Sequence, residues 1–176
     1  YLAGDDIASG GINNTLYGHN AGHELKLADN NIAIGYNAMY NSYIDDTQDG
    51  LTVNNIFIGK DAGGGDWATA ASFQNIGIGN IVMDAVMAGA RYNTAVGDSA
   101  MSALTEGDYN TGIGYGSLNG LTTGINNTAL GAGTGGAITT GHRNVMIGKQ
   151  VGDAMTTEDD VVLIGYNAGI ALTTTD

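Results

Sequence analysis

A five-residue phrase recurs nine times along the chain: Asn, a β-branched residue, a small or apolar residue, a further apolar residue, then Gly. The copies read NTLYG, NIAIG, NIFIG, NIGIG, NTAVG, NTGIG, NTALG, NVMIG and, with Val161 in place of Asn, VVLIG. They close on Gly18, Gly35, Gly59, Gly79, Gly97, Gly114, Gly131, Gly148 and Gly165, at intervals of 17, 24, 20, 18, 17, 17, 17 and 17 residues. A period that persists in this way means one supersecondary unit stacked on itself, with a core that runs along the stack. Such stacks build rods and surfaces, which moves the expectation toward structure and binding and away from catalysis.

The regular stretch from Asn93 to Ile164 defines the unit. Thr94, Thr111, Thr128, Val145 and Val162 stand three residues before the marker glycine, and Val96, Ile113, Leu130, Ile147 and Ile164 one before. Positions two apart share a face of a strand, and β-branched residues suit strands. A small residue follows three after the glycine (Ala100, Ser117, Thr134, Val151, Ala168) and a second apolar one seven after (Leu104, Leu121, Ile138, Met155, Leu172). Glycine every few residues disfavours helix. Each period therefore reads as two short extended segments joined by two tight turns. The fold class is all-β: a parallel β-solenoid, or β-roll, of about nine 17-residue coils. It forms a single repeat domain over 1–176 and reads as a segment of a longer fibre.

Two columns follow from stacking. The asparagines Asn14, Asn31, Asn55, Asn75, Asn93, Asn110, Asn127 and Asn144 fall in register, where their amides can hydrogen-bond from coil to coil as a structural ladder. The residue two before each glycine is expected to point away from the coil interior, yet it is never polar: Leu16, Ala33, Phe57, Gly77, Ala95, Gly112, Ala129, Met146, Leu163. A strand apolar on both faces is normally covered on both. The reading is that Leu16, Ala33, Phe57, Ala95, Ala129, Met146 and Leu163 form an oligomer interface between identical chains, most simply three.

Composition narrows the partners. With 5 Lys and Arg against 18 Asp and Glu, the formal charge is −13, which argues against nucleic acid and anionic membranes. No apolar run approaches the ~20 residues of a membrane-spanning helix, so membrane insertion is not expected. The 30 glycines are periodic, and there is no Pro or Cys.

The phrases Asn93–Ala100, Asn110–Gly124 and Asn127–Gly141, with Thr-Thr-Gly between repeats, resemble the repeat region of phage tail fibres and tail-fibre-domain proteins. More distantly they resemble the head repeats of trimeric autotransporter adhesins. The likeness covers nearly the whole chain as repeat grammar; the period of 17 exceeds the adhesin repeat. The resemblance implies a homotrimeric β-solenoid on a virion tail or cell surface, joined to neighbouring fibre segments and attaching to a host.

Two adjacent coils carry insertions, near 40–50 and 63–68. They hold Tyr40, Tyr43, Asp45, Asp46 and Trp67, aromatic rings beside acids, a pattern suited to cell-surface glycan contact; insertions in solenoids commonly line the binding face. Other motifs are weaker. Gly131–Gly136 lacks the Lys and helix of a phosphate loop. His19 and His23 have metal-ligand spacing only on a helix. The acidic pairs Asp5-Asp6, Asp45-Asp46 and Asp159-Asp160 match no calcium loop and read as solvated turns. No cofactor, metal site or catalytic residue is assigned, and the chain is not read as an enzyme. Competing functions are an ice- or surface-binding solenoid, suggested by Thr122-Thr123, Thr139-Thr140, Thr156-Thr157 and Thr173-Thr174, and a glycan depolymerase using Asp45, Asp46, Asp49 and Asp66.

Overall fold

The computed structural model describes residues 3–4, 11–25, 27–41, 52–67 and 70–172. Nine three-residue strands form one sheet in chain order: β1 Thr15–Tyr17, β2 Ile32–Ile34, β3 Ile56–Ile58, β4 Ile76–Ile78, β5 Thr94–Val96, β6 Thr111–Ile113, β7 Thr128–Leu130, β8 Val145–Ile147 and β9 Val162–Ile164. All neighbours pair in parallel, each phrase directly above the next, as in Thr94↔Thr111↔Thr128. Register survives the long intervals: Ile32 pairs with Ile56 and Ile56 with Ile76. The chain is a β-solenoid, one strand per coil.

The expected second extended segment forms no strand among the described residues. Among the described residues, pairing outside the nine strands is limited to single bridges at Asp29–Val53, Asn41–Asp66 and Phe73–Arg91. The return path is made of turns, set by left-handed residues at fixed positions. Asn20, Asn37, Asp61, Ile81, Ser99, Gly116, Gly133, Gln150 and Asn167, two after the marker glycine, all have φ near +60°. So do the residues four after it and five before it, such as Met101 (φ 49°) and Asn126 (φ 60°). Each left-handed residue bends the chain sharply, and three per coil close a loop that two strands would otherwise span. The marker glycines adopt φ 121–143°, and a Cβ on most of them would overlap the carbonyl of the next marker glycine in the stack. Close backbone approach therefore demands Gly at that column.

The structure corrects the inside-outside assignment of the strands. The central strand residue points into the coil's own interior: Ala33, Phe57, Ala95, Ala129 and Met146 are fully buried, while Leu16 and Leu163 pack against the same core from the terminal coils. They cannot form the inter-chain contact predicted for them. The interior is narrow, and the residue four after the marker glycine enters it from the facing turn. Where the strand residue is large, that turn residue is Gly: Leu16 with Gly22, Phe57 with Gly63, Met146 with Gly152, Leu163 with Gly169. Where the strand residue is small, the turn residue is large: Ala33 with Met39, Gly77 with Met83, Ala95 with Met101, Gly112 with Leu118. Contacts show the exchange. Within coils, a Cβ on Gly63 would lie 2.8 Å from the Phe57 ring and one on Gly22 2.7 Å from Leu16; between coils, one on Gly112 would lie 3.0 Å from Cε of Met101 in the preceding coil. Coil seven pairs Ala129 with Gly135, and the space beside Gly135 is taken by Met146 and Leu118 of adjoining coils. Dense packing requires this constant sum of volumes.

The second apolar position completes the core. Leu25, Leu104, Leu121, Ile138 and Met155 are fully buried. In coils three and four the role falls one residue later, on Trp67 and Met87, also fully buried, while Val86 is half exposed. The core column therefore continues through both coils. In the same region burial pushes the half-buried Asp84 carboxyl above its ordinary value; its backbone hydrogen bond opposes this, and the Asp61 charge adds to it. The raised value means the charged form is disfavoured in the fold. Stability is therefore greatest below the unfolded carboxylate range and falls as pH rises through the folded value. Asp84→Asn is expected to raise Tm at pH 7, with the gain shrinking as the pH is lowered into the carboxylate range; a gain independent of pH would contradict this cause.

Candidate functional site

The asparagines form a continuous buried ladder. At a central rung, the Asn110 amide nitrogen donates to Asn93 Oδ1 (3.1 Å) and to the Gly124 carbonyl (2.8 Å), while its oxygen accepts from the backbone N–H and side-chain amide of Asn127 (2.9 and 3.1 Å). Both amide hydrogens and both lone pairs are used, which is full satisfaction for a buried amide. The pattern runs from Asn14 to Asn144 and ends where Val161 donates only its backbone N–H, to Asn144 Oδ1 (3.0 Å).

With the strand centres turned inward, the flanking residues face out. One column is Thr15, Ile32, Ile56, Ile76, Thr94, Thr111, Thr128, Val145 and Val162; the other is Tyr17, Ile34, Ile58, Ile78, Val96, Ile113, Leu130, Ile147 and Ile164. These are partly or fully exposed, Ile113 to 39% and Leu130 to 47%. The chain has 23 charged residues (5 basic, 18 acidic), and none falls on these eighteen positions. At ~4.8 Å per rung the nine coils make a flat, charge-free strip about 40 Å long. It is the outer face of a parallel sheet, a surface that proteins normally cover.

Compared with known proteins, the chain matches no family model, no curated protein and no solved structure.

Of the residues expected to meet a glycan, Tyr40 and Trp67 are among the described ones. Trp67 is fully buried and packs edge-on against Phe57, ring centroids 5.5 Å apart, so its ring face is not available to a sugar. It fills the core position of its coil, and the one-residue offset that it shares with Met87 is the sequence signal for this. Tyr40 is half-buried and stacks on His23 at 4.9 Å. Tyr43, Asp45 and Asp46 lie outside the described residues. Trp67 N–H nonetheless donates from its backbone to Asn41 O (3.0 Å), so the two insertions do meet at their bases.

Sequence reasoning missed a second aromatic group. Phe73 meets Tyr92 edge-on (5.6 Å, 82°), and Tyr92 stacks on Tyr109 (4.7 Å, 5°). The Arg91 guanidinium lies 5.6 Å from the Phe73 ring centroid and bonds Asp108 Oδ2 at 2.9 Å. Tyr92 and Tyr109 occupy the left-handed position five before the marker glycine, where four other coils have Asn. The tyrosines one coil apart, at identical offsets, were the available signal. His19 likewise stacks on Tyr36 of the next coil (5.5 Å). Asp159 and Asp160 pair with Arg143, at 3.7 and 2.6 Å. The Arg143 hydrogen bond holds the exposed Asp160 carboxyl below its ordinary value.

Proposed function

We propose that this chain is a structural segment of an attachment fibre, of the tail-fibre or trimeric-adhesin kind, which self-associates through the outer face of its sheet and presents its turn corners to a host surface. The observation that carries this reading is the charge-free double column of Thr, Val, Ile and Leu, with Tyr17 at one end, on a sheet whose backbone is already paired. The apolar surface that calls for a partner chain is thus the pair of outer columns and not the strand centres. A homotrimer, with the three strips facing a common axis, covers the greasy face of every protomer in an equivalent way. The rod then contributes reach and stiffness on a virion tail or cell exterior.

The test is assembly. Ile113→Lys and Leu130→Lys are expected to leave the coil folded, because both side chains point outward, and to shift sedimentation from oligomer to monomer. An unpaired ammonium at a covered apolar contact costs several kcal/mol, or more than about a hundredfold in association. A wild-type chain that sediments as a monomer at high micromolar concentration would refute the assembly.

An ice- or surface-ordering face is the rival reading. The hydroxyls of Thr105, Thr122 and Thr139 donate to the carbonyls of Thr122, Thr139 and Thr156, at 3.1, 3.0 and 3.1 Å, and so serve the stack instead of an external lattice. Thr173 and Thr174 lie outside the described residues. Thermal hysteresis in the purified protein would favour this rival.

A further inference from the structure

Beside the aromatic group lies a cleft of about 410 Å³ whose lining includes Ala70, Ala88, Gly89, Phe73, Arg91 and Glu106. None of its lining residues lies on the nine strands that carry the outer strip. We propose that this cleft binds a neutral sugar residue of a surface glycan, a reading that rests on the attachment role above and gives it a site other than the insertion tips.

Five observations combine. The volume falls within the range of small-ligand sites, about 300–1,000 Å³. Small apolar residues beside one aromatic ring suit the C–H face of a pyranose. The lining offers both halves of hydrogen bonding to hydroxyls: Glu106 is exposed and accepts, while Arg91, held in place by Asp108 and Phe73, has further N–H donors beyond the one it spends on Asp108 Oδ2. Charge selects among sugars. A chain of formal charge −13, with Asp108 and Glu106 beside the cleft, disfavours sulfated, phosphorylated or carboxylated glycans. The adjacent tyrosines extend the surface. Tyr92 braces Phe73, and Tyr109 is 55% exposed, leaving ring surface for a second sugar unit.

The test titrates the assembled protein with maltohexaose, cellohexaose and chitohexaose, and with dextran sulfate as the anionic comparator, by calorimetry and saturation-transfer NMR. At least one neutral oligosaccharide is expected to bind, and dextran sulfate is not. Phe73→Leu and Glu106→Gln, which keep size and remove the aromatic face or the charge, should each weaken binding by about tenfold. Failure of all three neutral probes, binding of dextran sulfate alone, or unchanged affinity in both variants overturns the proposal. Sedimentation run on the same samples separates the two readings. An oligomer that binds no sugar sinks the cleft alone, whereas a monomer that binds sinks the assembly and leaves the cleft.

Discussion

Asn110→Ala is expected to destabilise the chain by about 4 kcal/mol, and Asn110→Asp by more. The alanine variant removes four hydrogen bonds from the centre of the ladder and strands two buried groups, the Gly124 carbonyl and the Asn127 backbone N–H. Each orphaned buried group costs about 1–3 kcal/mol, and the small cavity adds to this. Aspartate is nearly isosteric but replaces a double donor by an acceptor. Ionised, it sets an oxygen against Asn93 Oδ1 and Gly124 O inside the core; protonated, it can satisfy only one of them. Asn14→Ala is the control. Its rung is only half-buried and ends the ladder, so water replaces part of what is lost and the cost falls to about 1 kcal/mol. Urea unfolding of the three variants checks the order. Equal losses at Asn14 and Asn110 would show that the buried ladder does not stabilise the stack.

The second large effect is a compensating pair in coil three. Phe57→Ala should cost about 3–5 kcal/mol, since Phe57 is fully buried and packs on Trp67 and Gly63. Gly63→Met alone should cost about 3 kcal/mol, by driving a long side chain into the Phe57 ring. Together they reproduce the Ala33/Met39 and Ala95/Met101 arrangement found in other coils, where Met sits in the same left-handed conformation (φ 51° and 49°). The double variant should therefore be less destabilised than either single one, with a coupling of several kcal/mol. Additive losses would mean that the strand and turn residues do not share one space. The result also decides which face of the strand is inside, because the outward assignment of Phe57 predicts no coupling with a turn on the far side of the coil.

That same exchange shows how much the sequence held unread. Large strand residue with Gly in the turn, small strand residue with Met or Leu, recurs in eight of nine coils and is visible without coordinates. The β-branched flanks suit a strand whichever way it faces, and alternation alone cannot say which face is the interior when both faces are apolar. Trp67 is a related case: within an inserted segment it reads as a binding-face residue, whereas its offset from Gly59, matched by Met87 from Gly79, places it in the core column.

The period, the marker glycines and the asparagine column determined by themselves that the chain stacks in register, because backbone contact and amide pairing between coils depend only on like residues recurring at like positions. Tertiary structure alone decided which side of each strand is core, how the turns replace a second strand, and that Phe73, Arg91, Tyr92, Glu106 and Tyr109 gather beside one cleft. Those outcomes depend on the width of the coil interior and on contacts between neighbouring coils, quantities that arise only when the whole stack is closed.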